Sequence, residues 1–389
     1  MRIGISISSA HPHDAAEAAA RRRALHMAQA LSAVDTVEHV LLVDTAQVPQ
    51  AMDEADPESL RFPVASQREA TEQLDMLIEI GGQPDLEWLD YLRARGKRVV
   101  LHPPHPPYAR LMEATIFDRP RGFARPRRCD EVWLLPRDAA LAPTMRALHR
   151  CPVREVPLLW GPEFVDAQAR VLQGQGIEFG SRCARVAREG VDLADTQAQH
   201  LRIACIASNT SVLDVALLPI LIAEHAYRTG SAAIEHVHVL GSLHLRQHPT
   251  FAALSPHLRL VADDRLLLTG AQGFARYSAE HRIDMVIAHQ WCRDQDATWL
   301  DVLYGGFALV HNSPWLHDAG VGAYYPGFDI DAGAERLAEA ARECLAGFGA
   351  ARLRELAFLG ALHPQVPSNV AAFARLLAMA PAPLSEALA

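Results

Sequence analysis

The residues of this chain best placed for chemistry stand at the ends of short apolar runs. Met285-Val286-Ile287-Ala288 leads into His289, Gln290 and Trp291. The first two can hydrogen-bond a base or a phosphate, and the indole can stack. Thr298 to Tyr304 reads as a helix with one acid, Asp301, closed by Gly305-Gly306. A carboxylate there can accept from two vicinal hydroxyls, and glycine suits a helix C-terminus. The next run, Phe307 to His311, ends in Asn312 and Ser313. Arg246 follows Val237–Leu240 and offers a cation. Asn209, Thr210 and Ser211 follow Leu201–Ala207, as a weak phosphate cradle or an ordinary N-cap. Three side chains are candidates for proton abstraction. Glu79 ends an apolar strand, which should raise its pKa. His105 sits in the stiff loop Pro103-Pro104-His105-Pro106-Pro107, and His11 follows the first strand. Structural readings stand beside these: Glu79 capping a backbone amide, the proline loop shaping a cleft rim.

Composition removes several function classes. The 389 residues carry 37 basic and 46 acidic side chains, a net charge of -9, which speaks against nucleic acid and against a polybasic membrane surface. Lys97 is the only lysine, so no Gly-Lys-Ser/Thr phosphate loop exists, and any phosphate must be held by arginine, backbone N–H or neutral side chains. The six cysteines form no C-x-x-C pair and read as reduced thiols. The histidine pairs lack metal-site spacing, so no metal is expected. The opening strand is too short for a signal peptide, and no run reaches a membrane span. A cytoplasmic location is expected.

Apolar runs alternate with helical stretches, the pattern of an α/β protein with largely parallel sheets. Strands are expected at Ile3–Ser8, Val37–Val43, Met76–Ile80, Val99–Leu101, Glu131–Leu135 and Val153–Leu159. A second set falls at Leu201–Ala207, Val237–Leu240, Leu258–Leu260, Leu266–Leu268, Met285–Ala288 and Phe307–His311. The expected organisation is two Rossmann-like doubly wound domains facing a central cleft. Residues 1–160 form the first, 161–200 a linker, 201–350 the second, and 351–389 terminal helices with the option of returning to the first. Ligands then belong at the carboxyl ends of the strands.

The Asp301–Ser313 segment resembles the donor-site segment of GT-B glycosyltransferases, with Asp301 for the usual helical Glu and Ala308 for the usual proline. Wider blocks resemble a bacterial family recorded as a domain of unknown function and related to those enzymes. They include Glu87-Trp88-Leu89-Asp90-Tyr91, Cys129 to Pro136, His311 to Gly320 and Tyr324 to Asp329. The resemblance implies a GT-B fold and a metal-independent transfer of sugar from a nucleotide-sugar co-substrate to a glycan or glycoconjugate acceptor. It implies that Asp301 binds the ribose, with Gly305, Gly306, Asn312, Ser313, His289, Gln290, Arg246, Asn209 and Ser211 around the donor. A base for an inverting reaction would come from the first half. The loop Ser8 to Asp14 lacks the glycines common there. Either the second half holds the phosphates, or the chain is a non-catalytic binder of a nucleotide sugar or partner protein. A nucleotide-sugar epimerase is a third reading.

Overall fold

The strands are built from β-branched and leucine residues buried on both faces, as a parallel sheet covered by helices requires. The computed structural model describes residues 1–10, 15–46, 62–117, 128–182, 184, 200–207, 209–291, 294–346 and 349–379. The chain divides into two compact units, Met1–Ala167 with Gly360–Ala389, and Gln168–Leu359.

The first unit holds β1 (Arg2–Ile7), β2 (His39–Asp44), β3 (Val64–Ser66), β4 (Met76–Glu79), β5 (Arg98–Leu101), β6 (Glu131–Leu134) and β7 (Val153–Glu155). Their order is β3-β2-β1-β4-β5-β6-β7, and every pairing is parallel. The order reverses beside β1. Helices α1 (Ala15–Ser32), α2 (Leu86–Ala94) and α3 (Pro107–Ile116) follow β1, β4 and β5, and α4 (Glu163–Gly174) carries the chain across the unit boundary. At the reversal point the chain after β4 is tied to β1. Gly81 N donates to Ser6 O at 3.0 Å, and Ser6 Oγ donates to Gly81 O at 2.7 Å. Gly82 then adopts φ +69°, with Thr45 and Ile7 so close that a Cβ would lie 1.9 Å from Thr45 Oγ1 and 2.9 Å from Ile7 O.

The second unit repeats the plan with β8 (Leu201–Ile206), β9 (Ile234–Leu240), β10 (Leu266–Leu268), β11 (Met285–Ile287), β12 (Ala308–His311) and β13 (Ala323–Tyr324). The order is β10-β9-β8-β11-β12-β13, again all parallel, reversing beside β8. Helices α5 (Leu217–Thr229), α6 (Phe274–Glu280), α7 (Ala297–Tyr304), α8 (Pro314–Asp318), α9 (Ile330–Ala346) and α10 (Gly349–Ala361) belong with this sheet, and α11 (Pro367–Ala378) with the first unit. One face of the sheet packs α5 and α9 through Ile220, Ile222, Leu337 and Ala341.

Three local readings differ from the expectation. Leu258–Leu260 is not a strand: Arg259–Ala262 is one helical turn, because the Glu224 carboxylate accepts from Arg259 N and Leu260 N at 2.8 and 3.0 Å. This is an N-cap supplied by a residue distant in sequence. The edge strands β3 and β13 carry no apolar run long enough to announce them. Cys344, on α9, is disulfide-bonded, whereas Cys129, Cys151 and Cys205 are buried free thiols.

Two glycines with similar backbones separate conformation from crowding. Gly96 has φ +73° with nothing within 4 Å of the place a Cβ would take, so Gly96→Ala should cost only the left-handed backbone penalty, about 1 kcal/mol. Gly82→Ala adds contact with Thr45 and the Ile7 carbonyl and should cost about 3 kcal/mol. Urea unfolding midpoints of the two variants test this difference.

Candidate functional site

The carboxyl edge of the second sheet gathers several of the expected residues. After β11, Ala288 N donates to Val310 O at 2.8 Å, which directs the chain toward β12. Gln290 N donates to Asn312 Oδ1 at 2.6 Å, and Asn312 Nδ2 donates to Gly327 O at 3.2 Å. Tyr325 is buried and its hydroxyl donates to Ala288 O at 3.1 Å. With the phenol proton so used, His289 Nδ1, 3.1 Å from the same oxygen, carries its own proton and donates it. The imidazole therefore presents Nε2 as an acceptor. Burial lowers its pKa, so it is neutral at pH 7. Such a ring accepts from a hydroxyl or a base N–H and does not serve a phosphate as a cation.

Gln290 is the least satisfied residue at this edge. It is 5% exposed, and among the described residues neither Oε1 nor Nε2 has a hydrogen-bond partner. Each unpaired amide group costs about 1–3 kcal/mol when buried, which is tolerated where a ligand or water completes it. The Trp299 indole N–H, in the first turn of α7, is buried and unpaired among the described residues as well. Trp299 carries no sequence signal, since an indole on an apolar helix reads as core. Tyr325 and Phe328 lie in the block Tyr324 to Asp329, where nothing in the sequence gives either a role; Phe328 flanks His289 with ring centroids 4.9 Å apart.

The remaining candidates are placed as follows. Ser313 caps α8, its Oγ accepting from Leu316 N at 3.3 Å. Its own N donates to His311 Nδ1 at 3.1 Å, while His311 Nε2 faces Val321 O at 2.9 Å, which fixes the tautomer. Asn209 adopts φ +51° and bridges the ends of β8 and β9: Nδ2 donates to Ser242 Oγ at 2.7 Å, and Oδ1 accepts from Ala216 N. Ser211 Oγ accepts from Leu213 N at 3.1 Å. Arg246 is exposed in a short turn after β9. Asp301 is half-buried in the middle of α7.

Gly305 and Gly306 are placed apart from these residues. They end α7 and precede β12, which places them at the amino edge of a parallel strand, opposite the edge where ligands are expected. A Cβ on Gly305 would lie 2.5 Å from the Phe307 ring and 2.8 Å from Phe179, and one on Gly306 2.6 Å from Ala184. Arg352 of α10 donates to the last carbonyls of α7, Leu303 O and Tyr304 O, and is held by Glu355. The pair serves the helix-to-strand turn.

In the first unit, Glu79 is buried against Arg128, Nη2 to Oε1 2.5 Å, with Oε2 unpaired among the described residues. Burial raises its pKa, and Arg128 and Arg110 offset part of that rise. His105 is half-buried and engaged with neighbouring groups, and His11 lies outside the described residues. The glycine-free loop after β1 is latched at its start: Asp44 accepts from Ser9 N at 3.1 Å and from Ser9 Oγ at 2.6 Å. Among the described residues no group of three or more His, Cys, Asp and Glu could hold a metal ion.

A family model described as protein of unknown function, DUF2827, matches residues 3–377. The chain belongs to the DUF2827 family. Among curated proteins none matches. Among solved structures, the apo form of the lipopolysaccharide outer core galactosyltransferase WaaB is similar at 11% identity and a TM-score of 0.53, covering 96% of this chain and 100% of that one. Trehalose-6-phosphate synthase OtsA is similar at 12% identity and 0.54, covering 98% and 100%. Sucrose-phosphate synthase from Thermosynechococcus elongatus is similar at 10% identity and 0.50, covering 97% and 98%. At these identities the likeness establishes the fold, which in this DUF2827 chain is GT-B.

The buried imidazoles set a pH dependence. Burial lowers the pKa of His311 and of His238 to about 4. Above pH 6.5 the folded and unfolded chains are both neutral at these sites. Below it the unfolded chain binds protons that the folded one refuses, so stability is lost between pH 6.5 and 4, about 3 kcal/mol per histidine. His311→Gln should flatten the fall by about 1.4 kcal/mol per pH unit in that window, read from urea unfolding at pH 7.5, 6 and 5. In the first unit, Glu79→Gln leaves Arg128 facing a neutral amide and should lower stability by about 3 kcal/mol at pH 7.

Proposed function

We propose that the protein transfers a sugar from a nucleotide-sugar donor to a glycan or glycoconjugate acceptor, with the donor held at the carboxyl edge of the second sheet and no metal ion required. The observation that carries this reading is the buried Gln290 amide without a partner among the described residues, in the segment that follows β11 next to the reversal of strand order and also holds the neutral His289. An amide offering both donor and acceptor, with a neutral imidazole acceptor, matches the hydroxyls and base edge of a nucleotide better than its phosphates. Phosphate charge falls to Arg246 and to backbone N–H groups after β8, and Asp301 remains the ribose acid by its place in the resembling segment. The full-length likeness to transferases of this fold supports the reading without deciding the substrate. Because the Glu79 carboxyl is buried in an ion pair, His105 and His11 are the better candidates for a base.

A second reading, a non-catalytic binder of nucleotide sugars, is favoured by the latched Ser9–Asp44 loop. Donor hydrolysis separates the two, since a transferase leaks sugar to water and a binder does not.

Thermal unfolding in the presence of nucleoside diphosphates and their sugars tests the site. A ligand at about 100 times its Kd should add about 2.7 kcal/mol to stability. Gln290→Ala and Asp301→Ala should each abolish most of that gain. If no nucleotide raises the melting temperature, the donor assignment is wrong. If Gln290→Ala retains the full gain, the amide is not part of the site.

A further inference from the structure

The first unit holds only two cysteines, Cys129 and Cys151, and the fold brings them together. Each stands two residues before a strand, Cys129 before β6 and Cys151 before β7. These strands are parallel neighbours with Val132 opposite Val153, and Val132 N donates to Pro152 O at 2.9 Å. On the other side Asp130 N donates to Val99 O at 2.7 Å, so the entry to β6 is fixed from both flanks. The two Sγ atoms lie 3.8 Å apart, across 22 positions of sequence. Neighbouring strands run about 4.8 Å apart, and a disulfide needs Cα atoms about 4.4–6.8 Å apart. Closing the sulfurs to a bond of about 2.05 Å therefore asks for side-chain rotation and little of the backbone.

Both thiols sit in one apolar cluster with Val132, Leu134 and Met145. A buried cysteine can serve simply as a small hydrophobe. Packing alone does not require sulfur at both places, in contact, in a unit that has no other cysteine. The two are not equivalent. Cys129 is 1% exposed and Cys151 5%. The contact with Cys151 and burial both push the Cys129 thiol up, so Cys129 keeps its proton. Cys151 is then the sulfur that a small oxidant meets first when the strand entries open locally.

We propose that Cys129 and Cys151 are a redox-sensitive pair that a small hydroperoxide closes into a disulfide latch between the entries of β6 and β7. The Cys151 sulfur attacks the peroxide, the O–O bond breaks, an alcohol or water leaves, and a sulfenic acid remains. The Cys129 sulfur then attacks Cys151, the S–O bond breaks, and the hydroxyl leaves with the Cys129 proton as water. The dithiol is oxidised and the peroxide reduced. The inference does not depend on the transferase reading, and its test uses no sugar or nucleotide.

The full-length protein is treated with hydrogen peroxide, unfolded in urea with N-ethylmaleimide and digested with trypsin. Mass spectrometry should find the Cys129 peptide joined to the Cys151 peptide, lighter by two hydrogens than the two apart, and released by dithiothreitol. Cys129→Ser should leave a sulfenic acid on Cys151 that dimedone traps, and Cys151→Ser should leave Cys129 labelled by the maleimide. The cross-linked protein should melt about 5 °C above the untreated one, because the bond restricts the unfolded chain. Both cysteines still labelled after peroxide, or either joined to a different cysteine, overturns the proposal. A cross-link that leaves the melting temperature unchanged overturns the latch.

Discussion

A parallel sheet has one edge at which every strand ends, and the reversal of strand order opens that edge beside a single strand. This constraint decides what each polar residue of the chain can do. In the first unit the reversal beside β1 is spanned by the chain's own backbone. Ser6 and Gly81 exchange hydrogen bonds, Gly82 lies against Ile7, and Asp44 holds Ser9. In the second unit the chain after β11 turns toward β12, and the Gln290 side-chain amide that follows it has no partner among the described residues. Two sheets of the same order therefore differ in what their reversal points leave unsatisfied.

The strand runs were legible because both faces of the central strands are buried, so Ile3–Ile7, Leu201–Ile206 and Met285–Ile287 stand out as uninterrupted apolar segments. Tertiary forces hid the rest. Leu258 and Leu260 alternate as a strand would, and only the carboxylate of Glu224, over thirty residues earlier, makes that stretch a helical turn. The edge strands Val64–Ser66 and Ala323–Tyr324 are three and two residues long, below any periodic signal.

The site was legible to the level of residue type at strand ends and no further. His289, Gln290 and Asn312 do come together, because parallel strands bring the residues after β11 and β12 to one edge. Gly305 and Gly306 lie at the opposite edge for the same geometric reason. They adjoin Asp301 in sequence, but α7 runs from the carboxyl edge of β11 to the amino edge of β12, so its two ends serve opposite edges of the sheet. Proximity along a helix is not proximity to a ligand.

The hydrogen-bond pattern also separates positioning from recognition. Asn312, Asn209 and Ser313 have the side-chain chemistry expected of a ligand site, yet their polar atoms are committed to Gln290 N, Gly327 O, Ser242, Ala216 N and Leu316 N. Displacing those bonds to bind a ligand would strand backbone groups in a dry interior. Gln290 and His289 face no such conflict, since the Gln290 amide and His289 Nε2 have no hydrogen bond to surrender among the described residues. A residue already satisfied holds a site's shape, and one left unsatisfied in the interior can gain by meeting a ligand. By that criterion the committed asparagines and serine set the frame, and the glutamine and histidine are the side chains that would read the ligand.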